Sequence, residues 1–214
     1  RYIIGDVRDL SRLNSVIRDN KINYIVHAAA TKIVLSAELN PEECIKTNIL
    51  GAMNIIEAAK SNNVNKVIAL STDKASSPIN LYGSTKLASD KLFISANNNN
   101  CGPTTFSVVR YGNVMGSRGS VIPFFLSLNK DKRFPITDTA MTRFMISIDN
   151  AIDLVFEVIN TSVGGEIFVR KSPSIKITNL AKAINSKVKF DITGIRPGEK
   201  LHEQMIGIDE SSYT

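Results

Sequence analysis

The sequence predicts an α/β fold built on a doubly wound parallel sheet, followed by a smaller subdomain. Three observations carry this. In the first half of the 214 residues, strand-like and helix-like stretches alternate. The strands, such as Val67-Ile68-Ala69-Leu70, are short and apolar, as in parallel sheets covered on both faces. After Tyr111 the rhythm loosens, and Gly112, Gly116 and Gly119 interrupt the chain.

The elements follow in order. Arg1–Asp6 reads as a short strand ending in a turn, and Ser11 starts a helix running to Asp19. Tyr24–His27 is the next strand. Pro41-Glu42-Glu43 opens a long helix through Ala59, because proline suits the first turn and acids suit the positive helix end. Val67–Leu70 is a strand, Tyr82–Ser95 a helix and Phe106–Arg110 a strand. The run Asn97–Asn100 reads as a solvated, idle loop. Beyond it come a short helix at Pro123–Leu128 and an extended piece at Phe134–Thr137. An amphipathic helix at Ile148–Ile159, a strand at Gly165–Val169 and a helix at Ile177–Ile184 complete the chain.

A dinucleotide-binding sheet of this Rossmann-like kind begins with a strand, a Gly-rich turn and a helix whose N-terminus holds a pyrophosphate. No such turn precedes Tyr24. If Arg1–Asp6 is the third strand in the order 3-2-1-4-5-6, the first two strands are lacking. The sequence therefore reads as an N-terminally incomplete fold, expected to fold poorly and bind its cofactor weakly by itself. The incomplete unit spans 1–115, and the interleaved subdomain spans 116–214.

Composition sets bounds. An apolar share of 43% is ordinary for a chain that buries a core. The net charge of +6 reads either as a basic surface or as attraction to an anionic ligand such as a nucleotide. No dense basic stretch interleaved with aromatics points to nucleic acid. No apolar run approaches the roughly 20 residues of a membrane span, and no secretory leader is read at Arg1. Cys44 and Cys101 lack metal-ligand spacing and read as reduced thiols of a cytoplasmic protein.

The chemistry is concentrated in Ser71-Thr72-Asp73-Lys74 and Tyr82-Gly83-Ser84-Thr85-Lys86. Tyr82 and Lys86 stand four apart at a helix start and so share one face. The ammonium beside the phenol is expected to lower the phenol's pKa. The pair then forms a base able to take a hydroxyl proton while hydride leaves the same carbon. Asp73 and Lys74 add two titratable groups that a simple dehydrogenase does not need.

Ser71-Thr72, Tyr82-x3-Lys86, Asp6-Val7-Arg8-Asp9, His27-Ala28-Ala29-Ala30 and Asn48 together resemble the extended short-chain dehydrogenase/reductase family. Four longer blocks narrow the resemblance: Leu70–Ala75, Arg110–Phe125, Met141–Phe144 and Ile195–Glu203. They are similar to the inverting UDP-N-acetylglucosamine 4,6-dehydratases of pseudaminic acid, capsule and O-antigen biosynthesis. The resemblance implies an NADP-dependent cycle: oxidation at C4 of a UDP-sugar, removal of the C5 proton, loss of the C6 hydroxyl as water, hydride return to C6 and inversion at C5. It implies catalytic roles for Thr72, Asp73, Lys74, Tyr82 and Lys86. Lys74 would be the C5 base, Asp73 the acid for the leaving hydroxyl, and Thr72 the holder of the C4 oxygen. Desolvation or neighbouring positive charge would poise Lys74 near the working pH.

The resemblance also assigns cofactor contacts to Asp6, Val7, Ala28, Ala29, Ala30, Asn48, Tyr82, Lys86 and Val114. Asp6 and Val7 would flank adenine, or Asp6 would cap the helix at Ser11. Asn48 would orient the Lys86 region through water. Substrate contacts fall to Lys32, Asn113, Arg118 and Arg196, the two arginines serving as clamps on the pyrophosphate. Family members are usually homo-oligomers. Relatives carry Lys-His-Val-Pro after the alanines, where this chain has Lys32-Ile33-Val34-Leu35. That change bears on the sugar pocket. A nucleotide-sugar 4-epimerase and a non-catalytic cofactor-binding homologue are the alternatives.

Overall fold

The computed structural model describes residues 1–98, 102–128 and 133–214. Four parallel strands form the main sheet: β1 (Tyr24–His27), β2 (Lys66–Thr72), β3 (Thr105–Tyr111) and β7 (Ile167–Val169), side by side in that order. β2 and β3 are central and nearly wholly buried, which is why their middles are mainly apolar. Helices α1 (Leu10–Asp19), α4 (Gly51–Ser61) and α5 (Leu81–Ser95) form one core with the sheet through Ile17, Ile55, Val67, Phe93 and Phe106. Helix α7 (Ile148–Thr161) packs Leu154 and Val158 against Ile68 and Val109.

The segment Arg1–Asp6 is not a strand. A strand needs a neighbour to pair its backbone groups, and none stands beside it among the described residues. Tyr2 and Ile4 are consequently exposed. The expected long helix at Pro41 runs instead as α3 (Pro41–Ile45), a π-helical turn at Lys46–Leu50, and α4. Such π-turns insert an extra residue and are frequent at functional sites. A short helix, α2 (Val34–Leu39), precedes them.

A second core gathers around Phe125, Phe134, Ile136, Met141, Met145 and Ala181. Its elements are α6 (Val121–Ser127), α8 (Ile177–Ile184) and short strands β4 (Asn113–Val114), β5 (Phe134–Ile136), β6 (Thr142–Ile146), β8 (Ser174–Lys176) and β9 (Phe190–Ile192). β6 pairs with both β4 and β8, while β5 pairs with β9. Between β6 and β8 the chain returns to the first sheet to lay down α7 and β7, so the two cores interleave. Gly112 makes the close crossing possible. A Cβ there would lie 2.6 Å from Phe144 Cβ and 2.7 Å from its carbonyl oxygen.

Asn97 is not an idle loop residue. Its amide donates to the Phe106 carbonyl at 2.9 Å and accepts from the Phe106 N–H at 3.0 Å, stitching the end of α5 to β3. Asn99, Asn100 and Cys101 lie outside the described residues. Cys44 is a buried free thiol. Among the described residues, no helix is long and apolar enough to cross a membrane.

Candidate active site

β2 delivers Ser71 and Thr72 at its carboxyl end, the edge where parallel sheets bind ligands. A single 3₁₀ turn, Asp73–Ala75, follows, and Asn80 then caps α5 by accepting from the Gly83 N–H at 2.8 Å. The cap fixes where α5 begins. Gly83 lets α5 approach the turn: a Cβ on it would fall 2.3 Å from the Lys74 carbonyl oxygen. Tyr82 is thereby seated near Thr72, whose hydroxyl favours the phenolate.

The turn itself is tightly bonded. Asp73 is fully buried. Its Oδ1 accepts from Thr72 Oγ1 and from Lys74 Nζ, each at 3.0 Å, while Oδ2 is buried without a partner. Lys74 is partly exposed and lies 3.9 Å from Glu203 Oε1. Among the described residues, the ion-pair partners of Lys74 are two carboxylates, Asp73 and Glu203.

Burial governs the neighbouring redox pair. It pushes the Tyr82 phenol above its ordinary 10, outweighing the hydrogen bond from Thr72, and the Asp73 charge acts in the same direction. The expected lowering by Lys86 is therefore not realised, since loss of water costs the phenolate more than its neighbours return. Lys86 is 3% exposed and burial lowers its pKa, with Asp90 opposing. Among the described residues Lys86 donates no hydrogen bond. His27 sits at the end of β1, held neutral at about 4 by burial first and by the Lys86 charge second.

Beneath Lys86 lies an ion network that the sequence reading missed. Asp90 Oδ2 accepts from Ser71 Oγ at 2.7 Å and from Arg110 Nη2 at 3.1 Å. Arg110 also grips Glu210 with two bonds of 2.6 and 2.9 Å, and donates to the Met205 carbonyl. Two signals pointed to it: Asp90 stands four residues after Lys86 on α5, and Arg110 is a charge inside an apolar strand.

Asn48, on the π-turn, is 1% exposed. Its carbonyl oxygen accepts from Thr31 N at 2.8 Å, and its amide donates to Thr31 O and to Thr85 Oγ1. It holds the loop after β1 against the helix bearing Lys86 by direct bonds. In that loop Ala28 and Ala29 are exposed and Ala30 half-buried, at the same edge as Thr72. Asp6 is committed to Arg8, whose guanidinium holds its carboxylate down at about 2. It does not cap α1; Asp9 does, accepting from Arg12 N. Val7 packs onto the core and against Gly51.

Val114 and Asn113 are half-buried in β4, and Asn113 Oδ1 is buried without a partner. Lys32 and Arg118 are exposed neighbours, Lys32 Nζ donating to the Arg118 carbonyl at 3.0 Å. Arg196 is exposed on a loop whose Gly198 carbonyl accepts from Asn80, with Glu199 bonding locally to the Arg196 N–H. No hydrogen bond or ion pair joins Arg196 to Lys32 or Arg118 among the described residues. An open edge lined by small alanines, a buried ammonium with no acceptor and an orphaned amide oxygen fit a polyhydroxylated nucleotide ligand.

The family profile described as "Polysaccharide biosynthesis protein" matches residues 1–214. The chain is 57% identical to a UDP-N-acetylglucosamine 4,6-dehydratase (inverting) of Campylobacter jejuni, over 100% of this chain and 64% of that protein. It is 45% identical to a UDP-glucose 4-epimerase of Rickettsia bellii, over 98% of this chain and 63% of the relative. The chain thus spans just under two thirds of the length of these relatives. Among solved structures, Pen from Bacillus thuringiensis superposes with a TM-score of 0.93 at 41% identity, covering 99% of this chain and 69% of its own. A dTDP-glucose 4,6-dehydratase from Streptomyces venezuelae, solved with NAD and TYD bound, shares the fold with a TM-score of 0.86 at 21% identity, covering 97% of this chain and 71% of its own.

Proposed function

The chain belongs to the polysaccharide biosynthesis protein family, and from that premise we propose that the complete protein is a nucleotide-sugar 4,6-dehydratase that acts on UDP-N-acetylglucosamine and inverts C5. The observation that carries this reading is the joining of two half-sites by one hydroxyl. Thr72 donates to Asp73, the partner of Lys74, and its hydroxyl also acts on the phenol of Tyr82, the redox partner of Lys86. The Campylobacter relative supports the substrate and the stereochemistry.

When bound, a nicotinamide cofactor supplies a hydride acceptor and then a hydride donor. Neighbours of the same fold were solved with NAD, and we infer NADP for this chain. Ala28, Ala29, Ala30, Val114, Asp6 and Val7 would line it, and Lys86 would donate to its hydroxyls. Tyr82, whose phenol burial raises in the chain alone, would take the C4 hydroxyl proton as a phenolate once the positive charge of Lys86 and of a bound oxidised cofactor offsets that burial. The ketone so formed acidifies C5, and Lys74 takes the C5 proton. Asp73 would relay that proton from Lys74 Nζ, 3.0 Å away, to the departing C6 hydroxyl, which leaves as water, and C5 is reprotonated from its other face. Lys32, Asn113, Arg118 and Arg196 would hold the UDP-sugar, the cations meeting its phosphates. The two interleaved cores share these tasks: most of the cofactor-lining residues lie on the first, and Asn113 and Arg118 beside the second. We infer a homo-oligomer working in the cytoplasm.

The Rickettsia relative favours a second reading, a 4-epimerase. Turnover of UDP-N-acetylglucosamine by the complete protein in deuterated water separates them. The dehydratase gives a 4-keto-6-deoxy product with deuterium at an inverted C5. A product that keeps its C6 hydroxyl and an undeuterated C5 overturns the proposal.

A further inference from the structure

Glu203 is a buried carboxylate that the reaction scheme above does not use. Its side chain reaches Lys74 Nζ at 3.9 Å through Oε1 and Lys200 Nζ at 3.7 Å through Oε2. Oε2 has no hydrogen-bond partner. Lys200 in turn donates to the Ser76 carbonyl at 2.7 Å, on the far side of the same turn. Charges therefore alternate along Asp73, Lys74, Glu203 and Lys200.

The backbone carrying Glu203 is held by the second core. The Leu201 carbonyl accepts from Thr142 N at 3.1 Å and from Arg143 Nη1 at 3.2 Å, and His202 Nδ1 lies 2.7 Å from Thr142 Oγ1. On the other side, the Gly198 carbonyl is tied to Asn80, the cap of α5. Glu203 is thus fixed by the sugar-side core and presented to the turn of the redox-side core.

We propose that Glu203 is a positioning residue for Lys74: with Asp73 it holds Nζ between two carboxylates facing C5 of the sugar, so that the amine, in its neutral form, is in place to take the C5 proton. A lysine stem is flexible, and a single contact to Asp73, its own chain neighbour, leaves many rotamers open. A second anchor from a distant segment removes that freedom. Placement matters because a shift of about 1 Å at a reacting group costs on the order of 100-fold in rate. The inference rests on the dehydratase reading.

The test uses the complete protein, UDP-N-acetylglucosamine and deuterated water. Two half-reactions are read separately: transient cofactor reduction by absorbance, and deuterium entry at C5 by NMR. With Glu203→Gln, C5 exchange is expected to fall about tenfold. Cofactor reduction and KM should stay within about twofold of the parent. Glu203→Asp, which keeps the charge and shortens the reach, should recover part of the exchange and serves alone if the glutamine variant does not fold. Exchange at the parental rate, or equal loss of both half-reactions, overturns the inference. A parent protein showing no C5 exchange overturns the dehydratase reading itself.

Discussion

Gly83 and Lys74 meet backbone to backbone: a methyl group on Gly83 would stand 2.3 Å from the Lys74 carbonyl oxygen and 3.0 Å from Pro78 Cβ. The helix that carries Tyr82 and the turn that carries Lys74 therefore share one contact with no slack. Gly83→Ala is expected to force them apart and to cost about 1–3 kcal/mol, as overpacking does. Both the melting temperature and turnover should fall. A variant that melts with the parent and turns over normally would contradict this geometry.

Lys74→Ala separates the two halves of the site. Cofactor reduction should persist, since Tyr82, Thr72 and Lys86 are untouched. C5 exchange and water loss should fall by about 100-fold or more, in line with loss of a general base. Equal suppression of both half-reactions would remove Lys74 from the C5 role.

Arg110 is buried at 1% exposure between Asp90 and Glu210. Arg110→Met strands the Asp90 carboxylate in the interior and should cost about 3–5 kcal/mol. The double change Arg110→Met with Asp90→Asn should recover part of that loss, because the buried Asp90 charge is removed, while Glu210 still loses its guanidinium. Thermal melts of the two single variants and the double variant measure the coupling, and additive losses would refute it.

His27 makes stability depend on acidity. Its imidazole ordinarily titrates at 6.5 and is held at about 4 in the fold. Between those values the unfolded chain binds the extra proton, so stability falls as pH drops from 6.5 towards 4, by about 3 kcal/mol in all. Asp90, whose carboxyl is raised by burial, acts in the opposite sense as pH rises above 3.8. The difference between parent and His27→Leu melts isolates the histidine. The parent should lose ground on the variant as pH falls through this window, and a constant difference would contradict a buried neutral imidazole.

Much of the site was legible because it is local. The exit of β2, the cap at Asn80 and the i, i+4 spacing of Tyr82 and Lys86 concern residues close in sequence. The short strands of the second core were not legible, since runs such as Ser174–Lys176 and Phe190–Ile192 are too brief to show alternation. Arg1–Asp6 misled for the converse reason: its apolar residues suit a strand, but pairing needs a neighbour that local composition does not report.

By itself the sequence determined the parallel α/β order and the placing of Thr72, Asp73, Lys74, Tyr82 and Lys86 on one turn and one helix face. Tertiary structure decided their electrostatics. Burial raises the Tyr82 phenol despite the nearby lysine, and Glu203 reaches Lys74 from a segment fastened to the second core. The division has one physical cause. Periodicity and capping are fixed between chain neighbours, whereas desolvation and ion pairing arise only when distant segments exclude water together.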